Sequence, residues 1–255
     1  MQKLSLNGIE LAFERRGRGT PLVLIHGYPL DHSIWQSVSL LLENDFDLIM
    51  PDLPGFGESS APSTNSLLPG MAEDIAALLD SLKIKKAALV GHSMGGYVTL
   101  AFARSFTGRL LGLGLVASQA LADSPEKKVG RYQEAEHVLL YGVGDVAADM
   151  STKLTDNPNL QAQLTELMMR QNPLGLASAL KAIAERQDSM QILQELNIPV
   201  VLVHGLTDKL ISPERARAVR KVVKDGYLTE IEGVGHMPMM EAPKLTAEAL
   251  KTLKK

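Results

Sequence analysis

Ala88-Leu89-Val90-Gly91-His92-Ser93-Met94-Gly95-Gly96 is the stretch that decides how this chain is read. A short apolar run enters Gly-x-Ser-x-Gly and leaves at once into apolar residues at helical spacing, from Met94 to Phe106. The context matters more than the five-residue pattern, because a serine held at a sharp strand-to-helix turn is presented at the top of a sheet. Such a serine occupies a strained backbone conformation, and neighbours without a Cβ let the two arms of the turn pass closely.

Outward from this stretch, apolar runs alternate with helical patterns. Lys3–Leu6 and Ile9–Arg15 flank Asn7-Gly8, a two-residue hairpin signal. Pro21–Ile25, Phe46–Met50, Lys86–Val90, Leu110–Ala117 and Ile198–His204 are further strands, with a weaker one at Tyr227–Glu232. Continuous apolar strands separated by helices such as Met71–Leu82 predict a mostly parallel sheet covered on both faces. Ligands of such sheets sit at the carboxyl ends of the strands. From Ser124 to Met190 there is no strand, only helical segments punctuated by Gly142, Gly144, Asn157-Pro158 and Asn172-Pro173-Leu174-Gly175. We read 1–123 and 191–255 as one α/β core and 124–190 as a helical cap inserted over the strand ends. The alternative, extra helices without a role, stays open at this point.

Composition narrows the classes. With 255 residues and 45% hydrophobic content the chain can bury one large core. A net charge of -3 gives no reason to expect nucleic acid or an acidic membrane as partner. The absence of cysteine excludes disulfides and thiolate metal sites. The first residues lack the apolar core of a secretory signal, and no 18-residue apolar run occurs, so a cytoplasmic protein is expected.

A serine hydroxyl becomes a nucleophile only when a base takes its proton and an acid orients that base. Of six histidines, His26, His92 and His204 each border a glycine at a strand end, where packing is the expected duty. His32 opens a helix and His137 lies in the insertion. His236, in Gly233-Val234-Gly235-His236-Met237-Pro238 after the last strand, is the expected base. Asp208, after the strand ending at His204, is the expected acid, with Asp52 and Asp123 as rivals. The same loop ends in Ser212-Pro213, read as an N-cap and first residue of a helix. The chain order Ser93, Asp208, His236 is one in which such triads occur on strand-and-helix sheets. Two backbone N–H groups would stabilise the oxyanion: Met94, after the serine, and Gly27 or Tyr28 of His26-Gly27-Tyr28-Pro29, with Tyr28 preferred. Met94, Met237, Met239 and Met240 cluster around these positions, so Met237 and Met240 are candidates for an acyl pocket; ordinary core filling is the alternative.

Five motifs in order now carry a resemblance: His26-Gly27-Tyr28-Pro29, Asp52-Leu53-Pro54-Gly55-Phe56-Gly57-Glu58-Ser59, Gly91-His92-Ser93-Met94-Gly95-Gly96, Gly205-Leu206-Thr207-Asp208 and Gly235-His236. Over essentially its whole length the chain resembles the α/β-hydrolase superfamily. Within it the chain is similar to small capped carboxylesterases, with enol-lactonases, carrier-protein methyl ester esterases and cofactor-free perhydrolases beside them. The resemblance implies an eight-stranded sheet with a helical lid, no metal and no organic cofactor. It implies a serine hydrolase acting on a small-molecule carboxylic ester with a small or medium apolar acyl group. Haloalkane dehalogenases and epoxide hydrolases use an aspartate where this chain has Ser93, which sets them aside. Lactonase, carbon–carbon hydrolase and perhydrolase chemistry remain open with the same triad, as does a ligand receptor that retains it. A carrier-protein substrate would favour a basic cap, whereas 124–190 holds seven Lys or Arg against nine Asp or Glu. The oligomeric state is not legible.

Overall fold

The apolar runs become the strands of one sheet. The computed structural model describes residues 1–61 and 67–254. Its strands are β1 (Gln2–Leu6), β2 (Ile9–Gly17), β3 (Thr20–Ile25) and β4 (Phe46–Pro51), then β5 (Ala87–His92), β6 (Leu110–Val116), β7 (Val200–Gly205) and β8 (Gly226–Ile231). They lie in the order β1-β2-β4-β3-β5-β6-β7-β8. β1 pairs with β2 and β2 with β4 antiparallel; every later pairing is parallel. The expected eight-stranded, mostly parallel sheet is therefore present. Asn7 and Gly8, both at positive φ, turn β1 into β2 as a two-residue hairpin requires.

Helices cover both faces. α1 (Gln36–Leu42), α2 (Leu68–Ser81) and α3 (Met94–Phe106) belong to the first half of the chain. Between β6 and β7 come α4 (Pro125–Tyr141), α5 (Gly144–Leu154), α6 (Pro158–Met169), α7 (Pro173–Ala184) and α8 (Met190–Glu195). α9 (Pro213–Val222), α10 (Pro238–Glu241) and α11 (Pro243–Lys251) complete the set. The sheet divides the apolar residues into two cores. Val23, Ile25, Leu89, Leu113 and Leu115 face α2, α3 and α7, while Leu22, Leu24, Val90, Val201 and Val203 face α1 and α11. β5 and β7 are buried at all six positions, which is why their sequences read as unbroken apolar runs rather than alternating ones.

The helices between β6 and β7 start where the sequence is punctuated. Ser124, Asn157 and Asn172 accept hydrogen bonds from amides of the first turn, and a proline follows each as the first helical residue. α4 packs along α7 and α5 against α6, whereas α8 packs on α9 of the core. Ser212 and Pro213 stand at the N-cap and first residue of α9 as expected, but the Ser212 hydroxyl donates to Glu214 Oε2 at 2.6 Å and does not accept from an amide of the helix. Among the described residues no helix is long and apolar enough to cross a membrane.

The chain passes from β3 outward to β4 and back across β3 to β5, so the strand order reverses at β3/β5. A crevice opens at such a reversal, beyond the carboxyl ends of the strands. His26-Gly27-Tyr28 follows β3 there and Ser93 follows β5. The turn at Ser93 is possible because Gly91 and Gly95 have no side chains. A Cβ on Gly91 would overlap the backbone of Gly95, and one on Gly95 would overlap the carbonyl oxygens of Ile25 and His26. Gly95→Ala is therefore expected to cost about 3 kcal/mol or more, since neither backbone can yield. Gly130, exposed within α4 with open space where a Cβ would stand, gives the opposite sign: Gly130→Ala should stabilise by about 0.5–1 kcal/mol through helix propensity. Urea unfolding of the two variants checks both.

Candidate active site

Ser93 sits at φ 49°, ψ -112°, the left-handed region that L-residues avoid, and α3 begins at the next residue. Three hydrogen bonds offset that strain. The Ser93 amide donates to the Val116 carbonyl at 3.0 Å, while its own carbonyl accepts from the Gly96 amide at 3.0 Å and the Ser118 hydroxyl at 2.8 Å. The residue stays partly exposed. Met94 opens α3, where first-turn N–H groups lack intrahelical partners and the helix dipole favours negative charge.

Asp208 and His236 meet across two loops. His236 Nδ1 lies 2.7 Å from Asp208 Oδ2, with both side chains buried. The other carboxylate oxygen accepts from the amides of Leu210 at 2.8 Å and Ile211 at 3.0 Å. Burial alone would raise the Asp208 pKa. The charge of His236, hydrogen bonds from His204 and His236, and the Ile211 amide outweigh it and hold the carboxyl well below the usual carboxylate range. With Nδ1 donating to Asp208, Nε2 is the ring nitrogen of His236 left to accept a proton.

The backbone around His236 is fixed on every side. Its amide donates to the Leu154 carbonyl at the end of α5, at 2.9 Å. Its carbonyl accepts from His92 Nε2 at 2.9 Å, which ties it to the residue before Ser93. The amides of Gly235 and Met237 both donate to Glu241 Oε1, each at 3.2 Å. His92 therefore links the serine's strand to the histidine's loop, and the two ring centroids lie 4.9 Å apart with the planes tilted by 58°.

His26 holds the loop after β3. Its Nδ1 donates to the Gly27 carbonyl at 3.0 Å and its Nε2 accepts from the Leu53 amide at 2.9 Å, so the ring is neutral and its tautomer is set. The Gly27 carbonyl also accepts from the Leu30 amide at 2.9 Å. Tyr28 follows, buried, its ring edge-on to Phe56 at 6.5 Å.

The two rival carboxylates are occupied elsewhere. Asp52 accepts from the His32 ring at 2.7 Å, the His32 amide at 2.9 Å and the Glu58 amide at 2.9 Å. Asp123 pairs with Arg186 at 2.7 Å and Arg131 at 3.4 Å. Of the two methionines expected in a pocket, Met237 is fully buried in the core under α1 and α11, with Trp35 and Leu250. That position is core filling, because a side chain enclosed by the core has no face for a ligand. Met240 is half-buried and borders a surface cavity with Asn157, Leu160 and Val234. An apolar cavity of about 160 Å³ opens one helical turn beyond Ser93, between α2, α3 and α7. Tyr97, Leu68, Leu100 and Ala120 line it, and the Arg186 guanidinium stacks 4.5 Å above the Tyr97 ring. Among the described residues, Asp31, His32 and Asp52 are the group whose donor atoms lie close enough, within 4.8 Å, to share a metal ion. Those atoms already bond one another, Ser33 and Gln171.

A family model described as alpha/beta hydrolase fold matches residues 20–243. The chain belongs to the α/β-hydrolase family. This α/β-hydrolase is similar to a solved thermophilic esterase from Thermogutta terrifontis with malate bound, at 35% identity and a TM-score of 0.95, covering 100% of both chains. It is 32% identical over 252 residues to a dihydrolipoyllysine-residue acetyltransferase component of an acetoin cleaving system from Pseudomonas putida, covering 94% of this chain and 65% of that one. Lipase 1 of Psychrobacter immobilis is 27% identical over 272 residues, covering 97% of this chain and 81% of that one. Its relatives thus include esterases and lipases.

Three contributors to the hydrolase site carry no sequence signal of that role. His204 Nε2 donates to the Ile211 carbonyl at 2.8 Å and lies 3.3 Å from Asp208 Oδ2, the oxygen that also faces His236. Glu241 braces the histidine loop, and Leu154 reaches it from the inserted helices. Gln171, between α6 and α7, is a fourth tie: it donates to Asp31 Oδ2 at 3.2 Å and accepts from the Gly57 amide at 2.9 Å.

Burial lowers the pKa of His26, and lowers that of His92 well below the ordinary value with the charge of His236 adding to the effect. His32 goes the other way. Burial lowers it, but the Asp52 hydrogen bond and the charges of Asp52, Asp31 and Glu14 leave it raised. The unfolded chain protonates all three near pH ~6.5. The folded chain keeps His26 and His92 neutral below that pH, so their contribution is complete above it and lost as pH falls. His32 contributes in acid and loses its contribution as pH rises. Below pH ~6 His32 is protonated in both states and adds no slope, so the two depressed histidines make stability fall by up to about 2.7 kcal/mol per pH unit. Urea unfolding between pH 5.5 and 8 should show stability falling toward acid, and His92→Gln should remove about half of that fall.

Proposed function

We propose that this protein is a serine hydrolase of small carboxylic esters, with Ser93 as nucleophile, His236 as base and Asp208 as the orienting acid. One observation carries the reading. The His236 ring is bonded to Asp208 at 2.7 Å, while His92, the residue before the strained Ser93, donates to the carbonyl of that same histidine. The 35%-identical esterase, matched over its full length, supports the same reading.

In this mechanism Ser93 Oγ attacks the ester carbonyl carbon as its proton passes to His236 Nε2. Asp208 remains a carboxylate, keeps the Nδ1–H tautomer and stabilises the imidazolium. The amides of Met94 and Tyr28 donate to the oxyanion of the tetrahedral intermediate. Collapse expels the alcohol, which takes the proton from Nε2, and leaves an acyl-serine. Water then attacks the acyl carbon, gives its proton to Nε2, and releases the acid as Ser93 regains its hydrogen. The helices α4 to α7 act as a cap over this chemistry, held to the core through Gln171 and Leu154.

Burst-phase hydrolysis of p-nitrophenyl esters from acetate to decanoate tests the reading. Turnover is expected in the wild type and should vanish in Ser93→Ala; a protein inert on every ester overturns it. Asp208→Asn should lower kcat by about 10⁴, since an amide favours the wrong imidazole tautomer. Because Asp208 is held ionised far into acid, the loss of activity on acidification should follow protonation of the imidazole base. The rate should therefore rise with pH, and a pH–rate profile without that rise removes His236 from the role of base.

A further inference from the structure

The cavity between α2, α3 and α7 has no part in the site described above. None of Tyr28, Ser93, Met94, Asp208 and His236 lines it. Its walls are apolar, with the buried side chains of Leu68, Leu100 and Ala120 beside Tyr97. A volume of about 160 Å³ holds a group of about six carbons.

The unpartnered polar groups on this cavity are mostly donors. The Arg104 guanidinium uses only Nη2, which donates to the Asp188 carbonyl at 2.8 Å and lies 3.5 Å from Ser189 Oγ. Among the described residues no carboxylate stands within ion-pair distance of Arg104. The Asp188 carboxylate instead accepts from the Met190 amide at 2.9 Å. The Gln119 side-chain amide and the Tyr97 hydroxyl also have no partner among the described residues. The Tyr97 hydroxyl is not sealed off, as the unpartnered atoms of Tyr28, Trp35 and His92 are. Only 7% of Tyr97 is exposed, and the surface it keeps opens on the cavity it lines.

The other two charges on the cavity are engaged within the protein. Glu185 accepts from the Tyr132 hydroxyl at 2.9 Å with one oxygen and from Lys128 at 3.4 Å with the other. Arg186 donates to the Leu121 and Ile183 carbonyls and to Asp123, and its face covers the Tyr97 ring. The free charge is therefore the cation Arg104. Tyr97 and Arg104 stand two turns apart on α3, about 10 Å, so an apolar chain laid along this stripe meets a cation at one end.

We propose that this cavity binds an aliphatic monocarboxylate of about six carbons, its chain against Leu68, Leu100 and Tyr97 and its carboxylate on Arg104. Hydrogen bonds from a guanidinium to a carboxylate are stronger than neutral ones, which favours the acid over the alcohol of the same chain. Ala120, on the way from β6 into the insertion, and Ser189, on the way out, both line the cavity, and the Ser189 amide donates to the Ala120 carbonyl at 2.9 Å. A bound acid thus touches α3 and both crossings between core and insertion. This inference goes beyond the ester-hydrolase reading and does not depend on it. The acid that such a hydrolase releases is a ligand of this class.

The test is calorimetric titration of the wild-type protein with hexanoate, hexanol and acetate, which separates charge from chain. Hexanoate is expected to bind at least tenfold more tightly than either, and less tightly as salt rises. Arg104→Gln should weaken hexanoate at least tenfold and leave hexanol unchanged. Ala101→Trp, which fills the cavity from α3, should abolish hexanoate binding. Hexanol that binds as tightly as hexanoate overturns the carboxylate class. Hexanoate binding that survives both variants overturns the site and puts the anion elsewhere, in the crevice at Ser93 first of all. No saturable binding of hexanoate overturns the proposal outright. None of these readings requires turnover, so a protein inert on every ester still tests the cavity.

Discussion

A strand becomes a helix within one residue at Ser93, and the rest of the site is built around that reversal. The turn requires the β5 backbone and the first turn of α3 to touch, which only glycine at Gly91 and Gly95 permits. The same contact brings α3 against the carbonyls at the end of β3, so the loop that follows β3 lies beside the serine. His92, forced inward by the turn, reaches the carbonyl of His236. The strained conformation at Ser93 costs on the order of 1–3 kcal/mol. A hydrogen bond to the Val116 carbonyl and two from Gly96 and Ser118 hold it in place.

Two Asp–His pairs, each 2.7 Å long, one buried and one with a partly exposed histidine, follow strands of this sheet, and their surroundings give them different work. Asp52, after β4, is closed by the Glu58 amide, and its partner His32 is drawn toward protonation by Asp31 and Glu14. That pair fastens a loop. Asp208, after β7, is satisfied by two loop amides and has one side turned to His236, whose remaining nitrogen is free of the carboxylate. Residue type alone does not separate the two pairs; their neighbours do.

The fold was legible because burial on both faces of a parallel sheet writes unbroken apolar runs, and because turns that need Gly, Asn or Pro leave those residues in place. Ser93, Asp208 and His236 were legible as positions at strand ends, and the structure brings the latter two into contact. What escaped were partners. Glu241 braces the histidine loop from six and four residues away, His204 shares Asp208, and Gln171 joins segments 114 and 140 residues away. Apolar periodicity reports which face is buried and says nothing of which polar atom meets which. Met237 shows the same gap from the apolar side, since adjacency in sequence to His236 does not tell which way the side chain turns.

The bond from the His236 amide to the Leu154 carbonyl joins the histidine loop to the end of α5. Gln171 meanwhile pins the junction of α6 and α7 to the loops at Asp31 and Gly57. Lifting α5 from the core would break this bond to the His236 backbone, while Gln171 keeps the α6–α7 junction tied to the core. A displacement of α5 would thus be felt first at the His236 loop, and one of the α6–α7 junction at Asp31 and Gly57.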